Sequence, residues 1–148
     1  MKYILTLELF DNSINLDNEI LLDLNTSKKT VFVYIDPNSN DEYAFFFYKE
    51  EDKNDNEYRF LFSINDDFEL SNKGIAYKIL KVMSESIKRF IELKPNTDMF
   101  LYTIDSSELK RKRIYNSIFS KYGFVEYDSY IGKLSNGKSI LVKLKKDN

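Results

Sequence analysis

The fold of this chain is decided by residues 74–124, which read GIAYKILKVMSESIKRFIELKPNTDMFLYTIDSSELKRKRIYNSIFSKYGF. In the first part of this stretch, apolar residues recur at the spacing of one helix face. They are Ile75, Ala76, Ile79, Leu80, Met83, Ile87, Phe90 and Ile91. The pattern predicts a helix over residues 73–93, with Ser71 or Asn72 placed to cap its start and Pro95 just beyond its end.

A short strand and a second helix are expected next. Residues 99–104 form an apolar run of strand length, and residues 105–108, DSSE, have the spacing of a capping box. The second helix is therefore expected to run to about Lys121. Gly123 fits its C-terminal cap, because glycine readily adopts the left-handed conformation found there.

The rest of the chain is rich in strand signals. Aromatic and β-branched runs occupy residues 3–10, 30–35, 43–48, 58–64, 124–134 and 139–144. Residues 18–24 predict a short helix or an irregular apolar segment, with apolar residues at Ile20, Leu21, Leu22 and Leu24. The sequence SNG at 135–137 predicts a hairpin turn. The expected class is α+β, with a mostly antiparallel twisted sheet of about six to seven strands and two main helices after Leu70.

The composition narrows the chemistry. The chain has 148 residues, 43% of them hydrophobic and 16% aromatic, which favours a single domain over residues 1–148 with one core. It contains no Cys and no His, so disulfides, Ser-His-Asp and Cys-His catalysis and the usual zinc sites are excluded. We therefore expect no metal site.

Charge and hydropathy bear on partners and location. The formal charge of -2 gives no global reason to expect a nucleic-acid partner. No stretch approaches the roughly 18 consecutive apolar residues that span a bilayer. The protein is expected to be soluble and cytoplasmic, without a membrane partner.

The entry to the first helix resembles the diphosphate loop of GNAT acyltransferases, patterned Arg/Gln-x-x-Gly-x-Gly/Ala. The resemblance implies that backbone N–H groups near the helix start bind the diphosphate of acetyl-CoA. The residues so implied are Asn72, Lys73, Gly74, Ile75 and Ala76. Ser71 stands where the family has Arg or Gln and carries no charge. The alternative is an ordinary helix entry with a glycine near the N-cap.

The end of the second helix carries a second resemblance. Residues 118–124, IFSKYGF, resemble the GNAT segment Leu-Tyr-x-Lys-x-Gly-Phe. In that family the Tyr commonly protonates the departing CoA thiolate, whereas the matching residue here is Phe119. Tyr115 lies one turn earlier on nearly the same face and is the one candidate for a catalytic acid. Most tyrosines, including Tyr102 and Tyr122, are expected to be packing residues.

Four consecutive cations open the second helix, namely Lys110, Arg111, Lys112 and Arg113. They could contact a phosphate of CoA or of nucleic acid, and a nucleic-acid role predicts steep salt dependence. Consecutive residues point around a helix, so a solvated face is the favoured interpretation.

The stretch 74–124 as a whole resembles the degenerate GNAT-like proteins of bacteriophages, which implies a location in the virion if a phage encodes the chain. Two hypotheses follow. The favoured one is a non-catalytic GNAT-like protein of phage type that acts through contacts with a viral or host protein, because Ser71 and Phe119 depart from the catalytic pattern. The alternative is an acetyl-CoA-dependent N-acetyltransferase in which water carries the proton. The acceptor substrate, the partner and the oligomeric state have no signal in the sequence.

Overall fold

The computed structural model describes residues 18–50, 56–68, 77–106, 108–134 and 137–147. The strand expected at residues 3–10 and the diphosphate loop expected at residues 72–76 lie outside these residues, as does Ser71.

Seven strands and two helices make up the described part of the chain. In order they are β1 (Leu21–Asn25), β2 (Lys29–Ile35), β3 (Glu42–Lys49), β4 (Glu57–Ile64), α1 (Tyr77–Leu93), β5 (Met99–Asp105), α2 (Leu109–Lys121), β6 (Phe124–Leu134) and β7 (Gly137–Lys146). Neither helix is both long and apolar enough to cross a membrane.

The strands form one sheet in the order β1-β2-β3-β4-β5-β7-β6. Neighbours are antiparallel everywhere except at β4 and β5, which run parallel. The last described strand, β7, enters between β5 and β6, so among the described strands the edges of the sheet are β1 and β6. The predicted α+β class and the mostly antiparallel sheet are confirmed.

The interpretation of residues 18–24 as a helix or an irregular segment is wrong. Leu21–Asn25 is a strand that pairs with β2, although all five of its residues are exposed. A tight turn makes this pairing possible, since the Thr26 N–H donates to the Lys29 carbonyl at 2.8 Å and the Lys29 N–H donates to Thr26 Oγ1 at 3.0 Å. An edge strand can form through backbone hydrogen bonds to its neighbour even when none of its side chains is buried. The spacing of apolar residues in the sequence does not indicate such backbone pairing.

The first helix is confirmed over Tyr77–Leu93. The residues of its predicted face that lie in the described part are buried at the centre of the core, except for the half-buried Ile91. The fully covered ones include Leu80, Met83 and Phe90. The helix stops at Leu93, two residues before Pro95, as the sequence predicts.

The second helix starts differently from the prediction. Its N-cap is Glu108, which makes no side-chain capping bond, rather than Asp105, at which the expected capping box would begin. A backbone turn precedes the helix instead, with the Glu108 N–H donating to the Asp105 carbonyl at 2.9 Å. At the other end Gly123 has φ +89°, and its N–H donates to the Ser120 carbonyl, which confirms the glycine cap.

Candidate active site

The two parallel strands at the middle of the sheet pair only briefly. Glu57, Tyr58 and Arg59 of β4 are in register with Met99, Phe100 and Leu101 of β5. Beyond that point β4 continues to Ile64 while bonded to β3, and β5 continues to Asp105 while bonded to β7. The strands diverge, so backbone groups along both facing edges are left without a partner strand among the described residues.

The second helix lies across this divergence. On β4, the ring of Phe60 meets Tyr115 at 5.9 Å and Phe119 at 5.5 Å between centroids. On β5, the ring of Tyr102 meets Tyr115 at 5.2 Å and stacks on Phe119 at 6.3 Å. The two positions that the resemblance singles out on α2 therefore contact both diverging strands.

Neither of these two residues is an evident proton donor. Phe119 is fully buried and has no ionisable hydrogen. Tyr115 is 5% exposed, and its burial raises the pKa of the phenol well above its usual value near 10. A phenol with a raised pKa gives up its proton less readily, so this packing weakens Tyr115 as an acid. Its catalytic role stays a prediction.

The opposite face of the sheet carries an ion pair at the same point. The Nε of Arg59, the last β4 residue paired with β5, lies 2.8 Å from Oε1 of Glu50. The Arg59 Nη1 donates to Oγ1 of Thr103 at 3.4 Å, and Thr103 lies on β5 beyond the paired segment. This guanidinium thus bridges the two strands where they separate, and the carboxylate of Glu50 lies beside it.

Sequence reasoning missed this group, although one signal was available. Arg59 is the only charged residue in the predicted strand at 58–64. A lone cation inside an apolar strand indicates a partner on the same face of the sheet.

A chain of hydrogen bonds links the buried Tyr102 of β5 to the surface. The Tyr102 hydroxyl donates to Oδ1 of Asn116, and Asn116 Nδ2 donates to Oε1 of Glu126 at 2.7 Å. Lys112 Nζ lies 3.2 Å from the same oxygen. Burial raises the pKa of Tyr102 well above 10, with the nearby Glu126 charge as a smaller cause. Its hydroxyl is thereby held as a hydrogen-bond donor to Asn116.

The four cations of α2 differ in their surroundings. Lys112 pairs with Glu126, and Arg111 Nη2 lies 3.8 Å from Oε2 of Glu108. Lys110 and Arg113 are exposed at other points around the helix. Two of the four charges are thus paired within the chain, and a nucleic-acid contact through these residues stays a prediction.

Two further observations concern ligands. Ser63, in the diverging part of β4, is fully buried, and its hydroxyl makes no hydrogen bond to any described residue. In the described ranges no three residues among Asp and Glu lie close enough together to hold a metal ion.

Comparison with solved structures bears on the fold. A chimera of the Vibrio cholerae spermidine N-acetyltransferase SpeG with hSSAT matches with TM-score 0.55 and 13% identity over 82% of this chain and 70% of its own. The Vibrio cholerae spermidine N-acetyltransferase in complex with CoA and spermine matches with TM-score 0.54 and 14% identity, over 80% and 67% of the respective chains. The ribosomal-protein-S5-alanine acetyltransferase from Vibrio fischeri matches with TM-score 0.51 and 18% identity, over 81% and 63%.

The chain has the GNAT acetyltransferase fold. At these identities the likeness concerns the fold alone, and the activities of the neighbours remain their own. No family model and no curated protein matches the sequence. Within the GNAT fold, the diverging β4 and β5 and the covering α2 are the parts that define the candidate site.

Proposed function

We propose that this protein is an N-acyltransferase that binds acetyl-CoA along the gap between β4 and β5. The observation that carries the proposal is the short parallel pairing, which ends at Arg59 and Leu101 and leaves two strand edges facing each other. Unpaired backbone donors and acceptors in a protein interior need partners. An extended ligand arm with amide groups, such as the pantetheine part of CoA, supplies them as an added strand would.

The fold neighbours support the same ligand. One of them is a spermidine N-acetyltransferase solved with CoA and spermine. In the sequence, the predicted diphosphate loop at Asn72 to Ala76 directly precedes Tyr77, where the described part of α1 starts, and a helix N-terminus favours the binding of an anion.

The proposed reaction uses few protein groups. The acceptor amine attacks the thioester carbonyl, a C–N bond forms, and the C–S bond breaks. The carboxylate of Glu50 accepts the proton that the amine loses. Water protonates the thiolate, because Phe119 has no ionisable proton and burial makes Tyr115 a weaker acid. Holding amine and thioester together supplies much of the rate in such a mechanism.

Calorimetric titration with acetyl-CoA tests the binding step. Micromolar binding is expected, with a sharp loss in the variant Gly74→Asp, which places a carboxylate where the diphosphate would lie. The control is Asn40→Asp, which adds the same charge in the turn between β2 and β3. No heat at millimolar ligand, with the protein folded, would overturn the proposal.

Turnover tests the chemical step. Thiol release from acetyl-CoA in the presence of a panel of amines is expected to fall by about 10²-fold or more in Glu50→Gln, with CoA binding unchanged. The control Glu42→Gln removes an exposed carboxylate at the other end of β3. Equal losses in both variants, or none in either, would remove Glu50 from the mechanism.

The second candidate is a non-catalytic role of phage type, in which the protein acts through contacts with viral or host proteins. It is supported by Phe119, which lacks an ionisable proton, and by Tyr115, which is buried in aromatic packing. It predicts acetyl-CoA binding without turnover, or no binding at all. Immunodetection in purified virions of an encoding phage, with signal expected in the particle fraction, tests the virion form of this role.

A further inference from the structure

The two edges of the sheet differ in how open they are to another strand. β1 is short, and its register with β2 shifts between Leu22 and Leu24. β6 has its shift near the start, between Glu126 and Asp128, and then pairs regularly with β7 through to Leu134. A shift of this kind bends a strand and interrupts pairing, so β1 is interrupted at its centre whereas β6 offers a long regular edge.

The regular part of β6 is also apolar and exposed. Ile131 is 74% exposed, the highest value among the large hydrophobic side chains of the described residues, and Tyr130 is 49% exposed. Their neighbours on the same strand are Ser129 and Gly132, which carry no charge. Edge strands that stay single usually carry charges or Pro at such positions. The outer backbone groups here pair with no described strand.

We propose that β6 pairs antiparallel with β6 of a second copy, so that a two-fold axis at Tyr130 or Ile131 joins two sheets into one. A two-fold axis perpendicular to the sheet makes edge strands antiparallel and keeps the helices of both copies on one face. With the axis at Tyr130, the two Tyr130 rings lie opposite each other and Ser129 faces the second copy's Ile131.

Charge favours this occupant. Asp128 begins the regular segment, and in the sequence the next charged residue along β6 is Lys133. An antiparallel copy brings the acidic end of one segment towards the basic end of the other. It also places Asp128 opposite the second copy's Gly132 when the axis is at Tyr130, and no like charges then lie opposite each other.

The second helix does not obstruct the pairing. α2 contacts β6 near its start, where Glu126 meets Asn116 at 2.7 Å and Lys112 at 3.2 Å. In an antiparallel pair the starts of the two strands lie at opposite ends. The two α2 helices are therefore kept apart, and the Ile131 side chains near the axis are covered only by each other's strand.

The oligomeric state tests the proposal. Light scattering after gel filtration is expected to give twice 17.6 kDa for the native chain. The variant Ile131→Lys is expected to raise the dimer dissociation constant at least about tenfold, since it removes the apolar contact of Ile131 in both copies and brings two like charges near the axis. The matched control is Leu22→Lys on β1, where the side chain is 47% exposed, and it is expected to leave the dimer unchanged.

Single-cysteine variants test the register. Because the chain has no Cys, each substitution from Asp128→Cys to Gly132→Cys introduces one thiol. Only a residue on the axis brings its own Cα within about 7 Å of its copy, the limit for a disulfide. Oxidation is expected to give a sharp maximum of covalent dimer at Tyr130→Cys or Ile131→Cys.

Three results would overturn the proposal. They are a monomer at high micromolar concentration, a dimer that Leu22→Lys disrupts and Ile131→Lys does not, and a cross-linking maximum elsewhere in the strand. None of these outcomes bears on acetyl-CoA binding, so this proposal and the proposed function stand or fall separately.

Discussion

The two halves of the sheet are built in different ways. β1 to β4 form a meander in which every strand pairs with its neighbour in sequence, whereas β5 to β7 form a unit in which the last strand lies in the middle. Most neighbouring strands within each half pair over seven or more residues, but the strand pairing between the halves is limited to residues 57–59 of β4 and 99–101 of β5. When two extensively paired units are joined by a short contact, we expect the sheet to separate at that contact.

Side-chain contacts add to these few backbone bonds between the halves. Phe90 of α1 stacks on Phe47 of β3 at 4.1 Å and contacts Phe100 of β5 at 5.8 Å. The ring of Phe100 then packs against Phe119 of α2 at 4.8 Å. These aromatic contacts pack against one face of the sheet at the junction. The facing edges of β4 and β5 can therefore separate while the two halves keep a common core.

The largest effect is expected from Phe90→Ala. Removing a fully buried ring that contacts both halves should lower the free energy of unfolding by about 3–5 kcal/mol. Urea denaturation measures this loss. Phe45→Ala is the matched control, because Phe45 is equally buried but stacks on Phe62 within the first half. Amide exchange in β5 and β7 should accelerate more in Phe90→Ala than in Phe45→Ala, and equal acceleration would show that the halves are not distinct.

High pH should weaken the second half. The pKa values of Tyr102 and Tyr115 are raised in the folded state, chiefly by burial, while the unfolded chain ionises near pH 10. Above that pH the unfolded state loses protons that the folded state keeps, so stability falls as pH rises from about 10, by up to about 1.4 kcal/mol per pH unit for each Tyr. Denaturant midpoints between pH 8 and 11 measure the slope.

Two variants distinguish the effect of a buried tyrosine from that of an exposed one on the pH dependence of stability. Tyr115→Phe should flatten the loss of stability above pH 10, while Tyr77→Phe, at a residue that is 41% exposed, should leave it as it is. A slope that neither variant changes would assign the alkaline transition to other groups.

A smaller effect is expected from Tyr102→Phe, which removes the donor to Asn116. The loss should be about 1 kcal/mol, typical of one internal hydrogen bond. Tyr127→Phe serves as the control, because that hydroxyl is at the surface and donates only to the Met99 sulfur at 3.7 Å. A loss of equal size in both would mean that the link from Tyr102 to Asn116 contributes nothing specific to the second half.

The smallest effect should come from Arg59→Met at the junction itself. The ion pair with Glu50 is partly exposed, so its loss should cost less than about 1 kcal/mol and should shrink in 1 M salt. Thermal melts at low and high salt give the comparison. A cost well above 2 kcal/mol would show that the junction depends on this bridge more than on the aromatic core.

Most elements could be predicted from the sequence because each has a local signature. The helical spacing of Ile79, Met83 and Ile87 and the glycine at 123 both mark their elements correctly. Local patterns cannot report partners distant in the chain. The parallel contact of Arg59 with Leu101 and the entry of β7 between β5 and β6 depend on such partners, so the sequence predicted strands but not their order.

The candidate site was predictable only in part for the same reason. Phe119 and Tyr115 were identified through the resemblance, and the structure places both against the diverging strands. The pairing of Arg59 with Glu50, and that of Tyr102 with Asn116, joins residues of ordinary type whose closeness exists only after folding.

The position of β7 between β5 and β6 has a consequence for folding during synthesis. β7 follows every other described strand during translation, so β5 and β6 must wait for it before they acquire a shared neighbour. The meander of β1 to β4 needs no such wait, because its hairpins close over short distances in sequence. Until the ten residues of β7 can pair, β5 and β6 therefore expose backbone edges that favour aggregation, whereas the hairpins of the first half do not depend on that strand.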